Sequence, residues 1–279
     1  MNNPTEQLSV AALYALESAK QRLAGKRIAV LTGAGISTDS GIPDYRGAGR
    51  VARHPMTFDA FMGSEASRQR YWARSFVGWS KIALAEPNAA HFAIAAAEKA
   101  DRIEQIVTQN VDGLHQKAGS TRVVDLHGRL DRVKCMGCDW VISREDMDEA
   151  LAELNPSVNR DVSFEFTPDG DAEVEASADF QVPNCQKCQG LLKPDVVFFG
   201  ESVPTQTVEF AMTSVLRSQA LLVAGTSLQV NSGLRFARRA HRAGIDVVIV
   251  NLGPTKADDL AIAKIEANTS LVLGALLDV

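Results

Sequence analysis

The chain has 279 residues, of which 46% are hydrophobic and 23% charged, as in an ordinary soluble globular protein. Its formal net charge of −5 argues against the basic surface that tight nucleic-acid binding requires. No apolar run approaches the roughly 20 residues that cross a bilayer, and residues 1–27 lack a signal-peptide pattern. We therefore expect a cytoplasmic monomer that binds neither nucleic acid nor membrane.

Short apolar runs alternate with helical patterns along the chain. An amphipathic helix within residues 1–27 precedes the first strand. The predicted strands are 27–32, 104–108, 123–126, 195–200, 220–227, 246–251 and 269–274, and the clearest helices are 91–99, 205–218 and 233–243. Near-continuous apolar strands between helices predict an α/β fold, a Rossmann-like doubly wound parallel sheet covered on both faces. Ligands of such folds bind beyond the carboxyl ends of the strands.

Two stretches interrupt this alternation. Residues 47–88 predict a loop and helix with Tyr71, Trp72, Phe76 and Trp79 as core, and residues 131–193 hold all four cysteines. We predict one folded unit over 1–279, with 22–46, 89–130 and 194–279 as the Rossmann-like domain and 47–88 and 131–193 as a smaller helical and zinc-binding domain. The window 161–179 has seven acids and no Lys or Arg, which predicts a solvated loop or hairpin.

The first strand ends in Gly33-Ala34-Gly35-Ile36-Ser37, where the chain should turn into a helix. Glycines at such a turn let the backbone approach a pyrophosphate, although a tight turn without a ligand uses the same residues. The dehydrogenase fingerprint requires a third glycine near Thr38 and a simple crossover helix. Residues 41–55 are instead rich in Gly, Pro and Arg. The pattern therefore disfavours hydride transfer.

Polar residues also follow other predicted elements. Arg46, in the ordered loop GIPDYR at 41–46, can bind a phosphate or form a surface ion pair. The segment 109–112, QNVD, offers amides and a carboxylate to ribose and a carboxamide, or serves as helix caps. His127 follows the strand at 123–126, where a neutral imidazole can take a proton near pH 7. A lone histidine is more often structural, but this position favours His127 over the other histidines as a general base.

The four cysteines form two CxxC pairs, Cys135 with Cys138 and Cys185 with Cys188. Four thiolates can hold a tetrahedral zinc ion and leave no open position for water, which predicts a structural metal site. A redox role for either pair is the alternative.

Together these motifs resemble the sirtuin family. GAGIS, GIPDYR, TQNVDGLH, LHG, the paired CxxC motifs, KPDVVFFGE and AGTSLQV occur in that family's order and cover roughly residues 25–275. Segments 68–79, 180–185 and 253–261 resemble class II sirtuins, the group that includes mitochondrial sirtuin four. The resemblance implies an NAD-dependent protein-lysine deacylase, and the short stretch before the first helix favours a bacterial one.

The resemblance implies a role for each matching residue. NAD, consumed as a co-substrate, would contact Gly33, Ala34, Gly35, Ser37, Asp44, Tyr45, Arg46, Gln109, Asn110, Val111, Asp112, Gly225, Thr226, Ser227, Asn251, Leu252, Gly253 and Thr269. The catalytic residues would be Asn110 and His127. The acyl oxygen of a modified lysine would attack the ribose carbon as nicotinamide departs, and His127 would act as base on a ribose hydroxyl while the acyl group moves to ADP-ribose. The loop 46–50 could close over the cofactor.

The resemblance also implies where the acyl-lysine protein or peptide binds. It would add a strand between 199–201 and 230–232, contacting Val197, Phe199, Gly200, Glu201, Val230 and Asn231. Tyr71 and Arg74 lie on one helical face and resemble the pair that recognises acidic acyl groups in desuccinylating sirtuins. Alternatively, Tyr71 is a core residue and Arg74 makes a surface ion pair.

Two other functions use the same cofactor residues. One is transfer of a single ADP-ribose to protein, and the other is non-catalytic sensing of NAD or ADP-ribose. A general base at position 127 argues against a sensor, since binding alone needs no base.

Overall fold

A parallel sheet forms the centre of the protein, whose computed structural model describes residues 8–45, 55–160 and 179–279. Among these residues, six strands form this sheet in the order β3-β2-β1-β7-β8-β9. Their bounds are β1 Ile28–Thr32, β2 Ile103–Thr108, β3 Val123–Asp125, β7 Ala220–Ala224, β8 Asp246–Val250 and β9 Ala263–Ile265. The sheet is built outward from β1 in one direction and then from β7 in the other, as in doubly wound nucleotide-binding folds.

Helices cover both faces of the sheet because its central strands are apolar on both sides. Within β1, Ile28 and Val30 pack on one face and Ala29 and Leu31 on the other, and all four are buried. Helices α1 Val10–Leu23, α4 Ala89–Lys99 and α9 Thr269–Leu277 cover the first face. Helices α7 Thr205–Arg217 and α8 Asn231–Arg242 cover the second, and the short α5 Leu114–Lys117 follows β2.

A second, smaller core lies beside this sheet. It contains an antiparallel sheet ordered β5-β4-β6 and three helices, with bounds β4 Gly128–Cys135, β5 Val141–Ser143, β6 Leu192–Val196, α2 Phe58–Gly63, α3 Glu65–Ala83 and α6 Arg144–Leu154. The indole of Trp72 donates to the carbonyl of Leu192 at 3.2 Å, and the buried Arg144 on α6 bonds the carbonyl of Ser75 on α3. The helical segment and the cysteine segment therefore share one core.

Most predicted elements are confirmed within a few residues. These are the strands at 27–32, 104–108, 123–126, 220–227 and 246–251, the first helix, and the helices at 91–99, 205–218 and 233–243. None of the helices in the described ranges combines the length and apolar character needed to cross a membrane. The loop 46–50 and all but the last residue of 161–179 lie outside the described residues.

Two strand predictions are wrong. The run 269–274 lies in helix α9, where the Asn268 side chain caps the backbone N–H of Ser270 and Val272 and Leu273 are buried. A fully buried helix and a buried strand have the same apolar run, so periodicity cannot separate them. The sixth strand of the parallel sheet is β9, which contains only three residues and includes Lys264.

The run 195–200 is not a strand of the parallel sheet. The strand in this region is β6, which pairs antiparallel with β4 and belongs to the small sheet. An apolar run predicts a strand but not its partner, which long-range packing selects. Strands β4 and β6 also cross the predicted domain limits at 130 and 194.

The two sheets join immediately after His127. The His127 carbonyl accepts from the Val197 N–H at 2.8 Å, and Gly128 pairs with Val196. Gly128 has φ +78°, and a Cβ added there would lie 2.0 Å from the carbonyl oxygen of Asp195. This close backbone contact fixes the direction in which the chain leaves His127.

We predict that Gly128→Ala destabilises the protein far more than Gly25→Ala. Gly25 has φ +67° with no neighbour within 4 Å of an added Cβ, so its substitution should cost only the left-handed strain of about 1–2 kcal/mol. Gly128→Ala adds a steric clash, and the total should reach at least about 3 kcal/mol. Urea denaturation of the two variants measures the difference, and equal losses would contradict the close approach.

Candidate functional site

The turns after β1 and β7 contact each other at the centre of the sheet. The Gly35 N–H donates to the Gly225 carbonyl at 2.8 Å, and the Gly33 N–H donates to the Ala224 carbonyl at 3.3 Å. Gly225 has φ +65°, and a Cβ there would lie 2.3 Å from the backbone nitrogen of Ile36. The glycines thus bring two backbone turns together at the point where the strand order reverses, which is where doubly wound folds bind nucleotides.

Gln109 links the elements around this point. Its side-chain amide donates to the Thr32 carbonyl at 3.1 Å and to Thr226 Oγ1 at 3.0 Å. Gly233 at the start of α8 packs against the same side chain, because a Cβ there would lie 2.4 Å from Gln109 Oε1. The amide nitrogen of this predicted cofactor residue is therefore engaged within the protein.

Ser37, Asn110 and Asp112 form a hydrogen-bonded triangle. Ser37 Oγ donates to Asp112 Oδ2 at 2.7 Å, and the Asn110 amide donates to Ser37 Oγ at 3.0 Å and to Asp112 Oδ2 at 3.3 Å. The other carboxylate oxygen of Asp112 accepts the Leu114 N–H at 2.9 Å. The structure thus brings together three predicted residues from two chain segments.

A buried chain of hydrogen bonds supports this triangle from below. His115 Nε2 lies 2.9 Å from Thr32 Oγ1, which lies 2.9 Å from Thr108 Oγ1, and this oxygen accepts the Asn110 N–H at 3.1 Å. Burial and the adjacent His91 lower the pKa of His115. Burial lowers the pKa of His91 to about 4, although the charge of Asp112 raises it. Both rings are therefore neutral at neutral pH.

Asn88 is a supporting residue that the sequence analysis missed. Its amide donates to the Ile36 carbonyl at 2.8 Å and to Ser40 Oγ at 3.0 Å, while its oxygen caps α4. His91 completes the capping box through its Nδ1 atom. The local signal was an Asn-x-x-His pattern before a helix, which indicates a cap but not the contact with the glycine turn.

His127 follows β3 at the same edge of the sheet, between the carboxyl end of β2 and the first turn of α8. Its Nδ1 is 2.8 Å from the Gln109 carbonyl and its Nε2 is 2.9 Å from Ser232 Oγ. Burial lowers the pKa of His127, the Gln109 carbonyl raises it, and the positive charge of Arg235 lowers it further. Because a carbonyl only accepts, Nδ1 carries the hydrogen, and Nε2 presents the lone pair of a neutral base.

The predicted adenosine-side residues follow β7 and β8. The buried Asn251 amide donates to the carbonyls of Leu252 at 2.8 Å and Gly253 at 3.2 Å, which shapes this turn. The Ser227 carbonyl accepts the Lys256 N–H at 3.0 Å, and the side chain of Leu252 is 66% exposed. Thr269 begins α9 and is buried.

The predicted peptide segment 199–201 lies close to Tyr45, at the end of the described part of the GIPDYR loop, here called the glycine-side loop. The exposed Phe199 contacts Tyr45, with ring centroids 6.4 Å apart. The backbone carbonyl of Phe199 accepts the Phe58 N–H at 2.9 Å. Glu201 is engaged within the protein, since its carboxylate accepts the Phe198 N–H and pairs with Lys193 at 3.1 Å. Asp44 is also described, whereas Arg46 lies outside the described residues.

Tyr71 belongs to the aromatic core of the small domain. It is 3% exposed, and its ring centroid lies 5.4 Å from that of Phe61 and 5.2 Å from that of Phe198. Arg74, one turn later on α3, is partly exposed. Phe198 precedes the exposed Phe199, so this core continues to the predicted peptide segment.

The four cysteines come together in the small domain. Their sulfur atoms all lie within 4.8 Å of one another, with Cys135 and Cys185 buried and Cys138 and Cys188 exposed. The backbone N–H of Gly137 points at Cys135 Sγ at 3.3 Å, and that of Gly190 points at Cys188 Sγ at 3.4 Å. Four clustered sulfurs with N–H donors fit a tetrahedral thiolate site for zinc.

The sequence is similar to those of known proteins. The model of the Sir2 family matches residues 33–232. An NAD-dependent protein deacetylase of Xanthomonas campestris is 50% identical over 255 residues, covering 90% of this chain and 87% of the relative. NAD-dependent protein deacetylase 1 of Mycobacterium avium is 50% identical over 260 residues, covering 92% of each chain.

The fold is also similar to those of solved structures. A Sir2 structure with a p53 peptide and NAD+ superposes with a TM-score of 0.76 and 31% identity, covering 94% of this chain and 97% of that chain. A structure of Sir2 bound to acetylated peptide gives a TM-score of 0.74 with the same identity and coverage. With its glycine, QNVD and LHG motifs at the strand ends of one parallel sheet and its four cysteines in one cluster, the chain belongs to the Sir2 family of sirtuins.

Proposed function

We propose that the protein is an NAD-dependent protein-lysine deacylase that moves the acyl group of a modified lysine to ADP-ribose and releases nicotinamide. The observation that carries this function is the contact of His127 Nδ1 with the carbonyl of Gln109, whose neighbour Asn110 belongs to the triangle with Ser37 and Asp112, at the edge of the sheet where doubly wound folds bind nucleotides. Relatives at 50% identity are NAD-dependent protein deacetylases.

The residues at the strand ends suit NAD. The glycine turn at 33–35 offers backbone without side chains for a pyrophosphate, and the triangle offers an amide, a hydroxyl and a carboxylate for the nicotinamide half. The turns at 225–227 and 251–253 would hold the adenosine half. When bound, NAD supplies the ADP-ribose group that accepts the acyl group.

His127 has the tautomer that a general base requires. The Gln109 carbonyl holds Nδ1–H, so Nε2 can accept a proton from a ribose hydroxyl. Burial favours the neutral ring, and the base is therefore available at neutral pH. A site that only sensed NAD would not need this arrangement.

The metal site supports the fold and takes no part in the reaction. A metal ion that activates water needs an open coordination position. Four cysteine thiolates would occupy all four positions of a tetrahedral zinc ion. The cluster also lies within the strands and turns of the small domain, where it joins the ends of β4 and β6. Removal of the metal ion should therefore lower the stability of the fold, and any loss of activity should follow from that.

Acyl-lysine proteins are the substrates. The segments 199–201 and 230–232 would pair with the backbone of the peptide, a mode of recognition that reads few side chains. The proposal that the protein does not bind nucleic acid rests on its net charge of −5. The proposals of a cytoplasmic location and of a monomer rest on the sequence alone. The proposed class II type rests on the segments 68–79, 180–185 and 253–261.

We predict that His127→Ala loses deacylation by about 100-fold or more, the usual contribution of a general base, while NAD binding is retained. An acetyl-lysine peptide with NAD, followed by mass spectrometry, measures released acyl-ADP-ribose, and calorimetry measures NAD affinity. His241→Ala is the matched control, since His241 lies at an exposed position of α8 and contacts the Leu260 carbonyl through Nδ1. Full activity of His127→Ala would remove the base assignment, and ADP-ribose found on the protein substrate would indicate ADP-ribosyl transfer.

We predict that Cys185→Ser lowers both zinc content and stability. Loss of a buried metal ligand should cost more than about 3 kcal/mol, which corresponds to a fall in Tm of about 6–12 °C. Elemental analysis and thermal unfolding measure the two effects. Met136→Ala is the control, because it changes an exposed residue between Cys135 and Cys138 that offers no thiolate, and it should leave zinc bound. Unchanged zinc in Cys185→Ser would contradict the four-thiolate site.

We predict that Arg74→Ala lowers activity on succinyl and glutaryl peptides about tenfold more than on acetyl peptide, because a guanidinium pairs with a carboxylate. Arg70 lies on the same helix with an exposed side chain, and Arg70→Ala should change none of the three. Kinetics with the three peptides test the effect. Equal loss of all three activities in Arg74→Ala would favour a structural ion pair.

A further inference from the structure

Ser232 contacts the atom of His127 that must receive the proton. Its hydroxyl oxygen lies 2.9 Å from His127 Nε2, although the two residues are separated by 105 positions in the chain. Ser232 occupies the first turn of α8 and is partly buried. The contact therefore joins the end of β3 to the beginning of α8, across the site.

The direction of this hydrogen bond follows from the other side of the ring. The Gln109 carbonyl can only accept, so His127 Nδ1 donates to it and Nε2 is the unprotonated nitrogen of the neutral ring. The Ser232 hydroxyl is then the donor to Nε2. Both ring nitrogens of the resting base are engaged, one by a carbonyl and one by a hydroxyl.

The two contacts of the imidazole come from residues that pack against each other, because Gln109 lies against Gly233, the residue after Ser232. Gln109 supplies the carbonyl, and its side chain packs against Gly233, where a Cβ would lie 2.4 Å from Oε1. Gly233 directly follows Ser232, and its N–H donates to the Val230 carbonyl at 3.3 Å. The position of the Ser232 hydroxyl is thus tied to the residue that holds the opposite side of the imidazole.

We propose that Ser232 is a positioning residue for the reaction, whose hydroxyl holds the imidazole of His127 through Nε2 in the resting site. The inference rests on the proposed function, in which His127 is the base. When a ribose hydroxyl passes its proton to Nε2, that lone pair forms the new N–H bond. The Ser232 hydroxyl hydrogen must therefore rotate away, and Ser232 itself neither gains nor loses a proton.

The contribution of Ser232 can be measured through the pKa of His127, which several neighbouring groups determine. Burial and the positive charge of Arg235 on α8 both lower the pKa of His127, while the Gln109 carbonyl raises it. Donation from Ser232 to Nε2 stabilises the neutral ring as well, since a protonated Nε2 cannot accept. Removing the hydroxyl should therefore raise the pKa of His127 toward the ordinary value.

The test compares Ser232→Ala with Ser232→Thr, which keeps the hydroxyl. Nuclear magnetic resonance titration of labelled histidine in the substrate-free protein gives the pKa of His127, with His127→Ala to assign the signal. A hydrogen bond that contributes about 1 kcal/mol corresponds to a rise of about 0.7 pH units in Ser232→Ala. Ser232→Thr should restore the original value, and the acidic limb of the kcat/KM profile should move with the pKa.

Ser80→Ala on α3 is the matched control, since it removes a partly exposed helical serine hydroxyl that lies in the small domain, and it should leave the pKa of His127 unchanged. A shift of less than about 0.2 units in Ser232→Ala would overturn the inference. The titration requires no substrate, so it stands apart from the deacylase assay. A shifted pKa in an inactive protein would count against the proposed function alone, and an unmoved pKa in an active protein would count against Ser232 alone.

Discussion

Two backbone turns meet at the centre of the parallel sheet with no side chain between them. Gly35 donates to the Gly225 carbonyl at 2.8 Å, and a Cβ on Gly225 would overlap the backbone of Ile36. This contact lies where the strand order reverses, so it sets the floor of the crevice in which doubly wound folds bind nucleotides. The neighbouring groups, including Gln109 and Asn88, are arranged around these turns by hydrogen bonds to their backbone or to the residues beside them.

The predicted catalytic and cofactor-binding side chains are held on this frame by short hydrogen bonds. The triangle of Ser37, Asn110 and Asp112 places a carboxylate and an amide in one position, and the buried threonine and histidine chain beneath it fixes the Asn110 backbone. His127 is held from both sides, at Nδ1 by the end of β2 and at Nε2 by the start of α8. A group fixed in this way loses little further freedom when substrate binds, which is a general advantage in catalysis.

The backbone of the small domain bonds to this frame beside His127, where the Val197 N–H donates to the His127 carbonyl and the Leu130 N–H donates to the Val111 carbonyl. Gly128 lies against the Asp195 carbonyl, and the strand that begins there continues to Cys135 of the metal site. The aromatic core around Tyr71 and Phe198 then extends to the exposed Phe199, which contacts Tyr45 of the glycine-side loop. The cysteine cluster, the aromatic core and the predicted peptide segment therefore form one connected body beside His127.

The sequence alone determined the local chemistry: glycines and polar residues at strand ends, the four-thiolate set, the two-faced apolar strands, and the motif order of the family. These features depend on residue type and period, which act over a few positions. It could not determine that 269–274 is the buried helix α9 or that β6 pairs with β4, because identical apolar runs suit either structure and partners are chosen by long-range packing. Only the tertiary structure decided that the Gln109 amide is engaged within the protein and that Ser232 meets His127. Such contacts join residues far apart in the chain, and the folded backbone alone sets the distances between them.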